Sequence, residues 1–152
     1  MRSAWIALAT LVGCSKGLAG DYTGTLDETC SITRATNVVG GPGGLTGTVT
    51  SCGGGGSKTG FVLHVVRGTV KDKLEIDLEG CKLALTDRDS TASIDPGQTC
   101  MLSVTGYKGK TTVDGTLTAS GDKDVHVTID FYAAEPQTSG AFVVDFTGSR
   151  AK

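Results

Sequence analysis

The chain has 152 residues, with 14 Lys and Arg against 16 Asp and Glu and a formal net charge of −2. The cations are scattered singly, so the basic stripe that marks nucleic-acid binding is missing and no nucleic-acid partner is expected. Glycine is abundant at 23 residues and proline scarce at 3. With many Thr and Val, that balance suits short strands joined by tight turns rather than a collagen-like or disordered chain.

The amino terminus carries a single cation at Arg2 and then the apolar run 4–10, the length of a signal-peptide core and far short of the roughly 20 residues of a membrane-spanning helix. The next four residues, Leu11-Val12-Gly13-Cys14, resemble the lipobox of bacterial lipoproteins. That resemblance implies cleavage before Cys14, acylation of its thiol and attachment to a membrane through the lipid. Ser15 stands where an aspartate would imply retention at the inner membrane, so the resemblance favours the outer membrane. Residues 1–13 are then a lipoprotein signal peptide, 14–20 the lipidated cysteine and a short tether, and 21–152 a single domain. The competing reading is a secretory signal cut after Ala19, which would release the protein to the periplasm.

Along the remaining chain, Tyr22, Gly24 and Leu26 alternate with Thr23, Thr25 and Asp27, a strand with one face in a core. Residues 38–44 and 51–60 read as glycine-rich loops flanking a short strand at 45–50, and 61–66 has a strand pattern. Lys73 to Glu79 alternates aliphatic and charged residues and is the clearest strand. Leu83 and Leu85 supply inward positions, and Thr91 to Ile94 is a further short strand. Asp95-Pro96-Gly97-Gln98 fits a type II turn. Leu102 and Val104 belong to a strand that Tyr107-Lys108-Gly109-Lys110 would turn into the next, where Val113 and Leu117 point inward and Asp114-Gly115 reads as a bulge. Ser120-Gly121-Asp122-Lys123 is another turn. Val125, Val127, Ile129 and Phe131 alternate with polar residues, as do Phe142, Val144 and Phe146. Eight to ten strands this closely spaced must pair antiparallel. The expected fold is all-β, an antiparallel meander closed or nearly closed into a small barrel, with a two-sheet sandwich as the alternative.

Beyond Cys14 the cysteines are Cys30, Cys52, Cys81 and Cys100. An even number in an oxidising compartment predicts two disulfides, and sequential pairing is expected, Cys30 with Cys52 and Cys81 with Cys100. A strand at Thr91 to Ile94 would separate Cys81 from Cys100 by two strand spacings unless Cys81 lies off its end. Metal use is not expected, because no C-x-x-C pair exists and His64 and His126 are not at zinc-ligand spacing. The run Cys52 to Thr59 lacks both glycines a phosphate-binding loop requires. His126, on a polar strand face, suits acid–base work only if it is not merely solvated, and His64 among Val62, Val65 and Val66 reads as packed. Asp87 with Asp89, and Asp122 with Asp124, are paired acids that read as turn residues rather than a calcium loop.

Gly20-Asp21-Tyr22 resembles the Gly-x-Trp signature of lipocalins, with tyrosine for tryptophan, and Arg150 stands where a basic residue would pack over that ring. The stretch from Gly80-Cys81 through Thr99-Cys100, with Gly115-Thr116-Leu117-Thr118, resembles small β-rich bacterial envelope lipoproteins, a likeness that implies no activity. No nucleophile and base can be paired and no cofactor is expected. The sequence therefore points to a lipid-anchored, disulfide-stapled, non-enzymatic β-domain with a structural or interaction role. The alternative is a carrier of a small apolar ligand. Mostly Leu, Val, Ile and Phe at inward positions predict a filled interior.

Overall fold

The structure is a computed structural model that describes residues 17–38 and 45–151. Among the described residues ten strands form and no helix does: β1 (Gly20–Val38), β2 (Leu45–Arg67), β3 (Lys73–Leu78), β4 (Cys81–Arg88), β5 (Thr91–Ile94), β6 (Thr99–Val104), β7 (Tyr107–Ser120), β8 (Asp124–Ala133), β9 (Thr138–Ser139) and β10 (Ala141–Arg150). Every pairing is antiparallel, and β10 returns to β1 with Tyr22 opposite Arg150 and Cys30 opposite Phe142. The sheet is therefore a closed meander of eight positions, in which β3 covers β2 only at Val65, Val66 and Arg67.

Two positions are each filled by a broken strand. β5 and β6 both pair with β7, at Thr116–Thr118 and Tyr107–Thr112, while the other edge of β7 is taken by β8. The break between them is Asp95–Gln98, where Gly97 has φ +81°, the value a type II turn needs. In the same way β9 prolongs β10 along β1, and Gly140 marks the break. A side chain at Gly140 would run into the backbone of Ser31 and Ile32, which explains the glycine.

Inward alternation produces the core. Leu26, Leu63, Leu74, Leu85, Leu102, Leu117, Val127, Ile129, Phe131, Val144 and Phe146 are all fully buried. Phe61 stacks edge-on against Phe146, with ring centroids 6.0 Å apart. Thr111 is the one buried polar residue noted among the described residues, and its hydroxyl donates to the Cys100 carbonyl at 3.1 Å. These inward side chains pack together as one apolar cluster inside the barrel.

Several local expectations need correction. Residues 51–60 are not a loop: β2 continues through them, paired from Cys52 opposite Ile32 to Thr59 opposite Thr25, with a register shift at each end, at Ser51 and at Gly60. Glycine lacks strand propensity, but the long ladder with β1 overrides it. The turn after β6 is Thr105-Gly106, with Gly106 at φ +84°, and Tyr107 to Lys110 already belong to β7. Gly115 is no bulge, because the β7–β8 register passes it unshifted with Gly115 opposite Ile129. What requires glycine there is the close approach of the β8 backbone. A tight turn the sequence reading missed is Glu79-Gly80, both at positive φ (53° and 75°), the mirror-image turn that suits a two-residue hairpin.

Candidate functional site

The barrel has two unlike ends. At one end β1 begins and β10 finishes, and the segment 17–19 folds across the mouth. Leu18 is 2% exposed there, and its carbonyl accepts the Tyr22 hydroxyl at 2.8 Å. The Arg150 guanidinium lies over the Tyr22 ring, 5.2 Å from its centroid. Its Nη2 donates to the Tyr22 hydroxyl oxygen and to the Gly17 carbonyl, both at 2.7 Å. A cation over an aromatic face that also donates two hydrogen bonds is a rigid clasp, because the planar guanidinium fixes several directions at once. Arg150 thus packs over Tyr22, where the sequence placed it, and ties the first described residue to the last strand.

Both disulfides lie at the opposite end. Cys30 and Cys52 bridge β1 to β2 with Cα atoms 5.7 Å apart, and Cys81 and Cys100 bridge β4 to β6 at 5.9 Å. The pairing is the sequential one. The separation feared between Cys81 and Cys100 does not arise, because β5 pairs with β4 only from Leu85 to Arg88. Cys81 lies beyond that ladder, and β6 has moved in beside it. A glutamine fills the gap at the crossing: Gln98 Oε1 accepts from the Ala84 amide at 2.9 Å, while Nε2 donates to the carbonyls of Ala84 at 2.7 Å and Asp95 at 3.1 Å. The side-chain amide stands in for a missing rung of the ladder. Beside it, Asp95 accepts from Lys73 Nζ at 2.6 Å and from the Thr86 hydroxyl at 2.5 Å. Those two hydrogen bonds hold its carboxyl below the ordinary range.

At the stapled end, the tip of the β6–β7 hairpin leans toward β2. A shallow cavity of about 260 Å³ lies between them, lined by Gly53 to Gly56, the Cys30–Cys52 bridge, Glu28, Val104, Thr105 and Phe142. At its margin Lys58 Nζ donates to Glu28 at 2.5 Å and to Glu79 at 3.4 Å. Burial and the neighbouring Glu28 push the Glu79 carboxyl up. A second depression, about 580 Å³, lies on the outer wall between Thr23, Ser120, Asp124, His126, Thr147 and Ser149. The first opens at the stapled mouth onto the core residues Cys52 and Phe142, and the second lies on the outer wall.

The candidate chemical residues are dispersed. His126 Nε2 sits 2.9 Å from Asp145, half exposed on the outer wall, and the nearby Ser149 hydroxyl donates to Asp124 instead. No acid–base–nucleophile relay is assembled there. His64 is not packed, as the sequence reading expected, but lies outward beside Asp21 at 2.8 Å. It lies outward because Leu63 and Val65 take the inward positions of β2. Asp87 and Asp89 end β4 and begin its turn, Asp122 and Asp124 frame the β7–β8 turn, and among the described residues no three metal-ligating side chains converge. Cys14 lies outside the described residues.

Comparison with protein-family models, curated proteins and solved structures returns no match. The functional reading therefore rests on the geometry of the two ends. The clasp around Leu18 carried no signal in the sequence, where residues 17–19 read only as tether. The clue, visible afterwards, is one isolated leucine between Gly17 and Ala19.

Proposed function

We propose that this chain is a lipid-anchored, disulfide-stapled β-domain of the bacterial cell envelope, held by acyl chains on Cys14 and acting through contacts rather than catalysis. The observation that carries the reading is the burial of Leu18. A secretory cut after Ala19 would remove Gly17 and Leu18, and with them two partners of the clasp at Tyr22 and Arg150. A cut before Cys14 keeps both. Burying a leucine stabilises by about 1.5–3 kcal/mol, a large share of the margin of a small domain. Two or three acyl chains give a stable anchor where one would be marginal. Two residues separate Cys14 from Gly17, and the three steps between them reach at most about 10 Å. The clasped end then faces the bilayer and the stapled end points away from it.

An interior occupied by one apolar cluster supports an interaction role over the carrier, since a specific pocket needs a few convergent polar groups. Envelope fractionation tests the reading. The wild-type chain should sediment with membranes and Cys14→Ser should be released as soluble protein. Solvent extraction of the purified chain should recover no stoichiometric apolar molecule. A soluble wild type would sink the anchor, and a recovered ligand would promote the carrier.

A further inference from the structure

Among the described residues, the stapled end carries an open strand edge. From Leu45 to His64, β2 is paired on its β1 side, whereas β3 takes its other side only at Val65, Val66 and Arg67. Natural edges are usually blunted by prolines, inward charges or a covering loop. Here the stretch 53–57 is four glycines and a serine, exposed throughout. The chain's own fold explains some of these glycines and not others. Gly54 has φ +101°, and a side chain at Gly55 would meet the Glu28 carbonyl at 2.6 Å. Gly56 has neither reason, because a Cβ there meets nothing within 4 Å. A bare backbone that the monomer does not require suits the approach of another backbone.

We infer that this edge accepts an extended segment of a partner protein by strand addition, an inference that rests on the anchored reading above. That reading also decides against a second copy. Pairing one edge with the same edge of a copy about a two-fold axis is antiparallel. Two copies anchored in one bilayer have β2 running toward the membrane in both, so their edges cannot meet that way. Backbone hydrogen bonds to β2 would supply affinity, and the adjoining cavity would read side chains. Its floor, the Cys30–Cys52 bridge with Val104 and Phe142, takes an apolar side chain. At the margin two carboxylates, Glu28 and Glu79, share the single ammonium of Lys58, leaving one negative charge. The segment is therefore extended, apolar at one position and basic beside it.

The test uses the full lipidated chain in detergent, with hydrogen exchange read residue by residue. The probe is a nine-residue peptide alternating valine and lysine, set against its fully N-methylated counterpart, which keeps side chains and charge but has no amide donors. Of the amides within 53–57, those that point away from β1 should exchange freely in the chain alone and slow at least ten-fold with the first peptide only. Gly56→Leu should abolish that protection without moving the thermal unfolding midpoint. Equal protection by the N-methylated peptide, or protection absent from β2, overturns the inference. So does a chain already protected at 53–57 with a doubled mass in solution, which would make a second copy the occupant. The amino terminus of the same sample, read by mass, reports separately on the anchor.

Discussion

Replacing Leu18 by alanine asks whether the tether is part of the fold. Leu18 is 2% exposed, so the substitution removes buried methyl and methylene groups and leaves a void against the barrel mouth. Leu→Ala at such sites costs about 2–5 kcal/mol, the cost falling as the surroundings collapse into the space. Segment 17–19 is a short stretch held at the mouth rather than a central strand, so the low end applies, about 2–3 kcal/mol. For a domain of this size each kcal/mol moves the midpoint by about 3–5 °C, which gives a fall of about 6–15 °C. Thermal unfolding with the disulfides intact would measure it, with Val70→Ala as control, since Val70 is 64% exposed in the β2–β3 turn. A Leu18→Ala midpoint indistinguishable from the control would mean that the segment is not docked. The argument from Leu18 to the cleavage site would then fail.

Three further outcomes follow from the same geometry. Non-reducing peptide mapping should recover Cys30 linked to Cys52 and Cys81 to Cys100, and replacing either pair by alanines should cost about 3 kcal/mol in the chain-entropy model, given separations of 22 and 19 residues. Gln98→Ala should destabilise by about 1–3 kcal/mol in denaturant unfolding, because it strands the Ala84 amide while the Ala84 carbonyl keeps only the Asp95 amide, and Gln98→Glu, which restores the acceptor but sets a carboxylate against that carbonyl, should rescue it only in part. Asp95 has a depressed folded pKa, so its contribution is present above the ordinary aspartate value of 3.8 and is lost as pH falls through the folded value. Asp95→Asn should therefore be less stable than wild type at pH 7, with the gap closing in strong acid. A gap that stays constant with pH would deny the Lys73 and Thr86 contacts their role.

What the sequence discloses depends on whether a signal is local. The strands at Lys73 to Leu78 and Asp124 to Ala133 are legible because each has aliphatic and polar residues in strict alternation, and barrel closure follows from matching patterns at the two ends. The glycine stretch of β2 is illegible for the same reason. It has no side chains to alternate, and only its partner strand holds it extended. His64 misleads because its neighbours Val62 and Val66 are apolar yet point outward with it, 42% and 50% exposed. Gln98 gave no sign of its role, since a side chain that replaces a backbone rung is defined by where two distant strands part. The clasp was half legible: Tyr22 and Arg150 were paired by analogy with a barrel signature, whereas the contributions of Gly17 and Leu18 needed coordinates.

The central claim is that the mature chain begins at Cys14, bears lipid there and keeps Leu18 in its fold. The intact mass of the protein extracted from membranes of its host, with fragmentation of its amino-terminal peptide, tests this most directly. The account predicts a terminus at Cys14 carrying a diacylglyceryl thioether. A mature chain starting at Gly20 and recovered without lipid would contradict it.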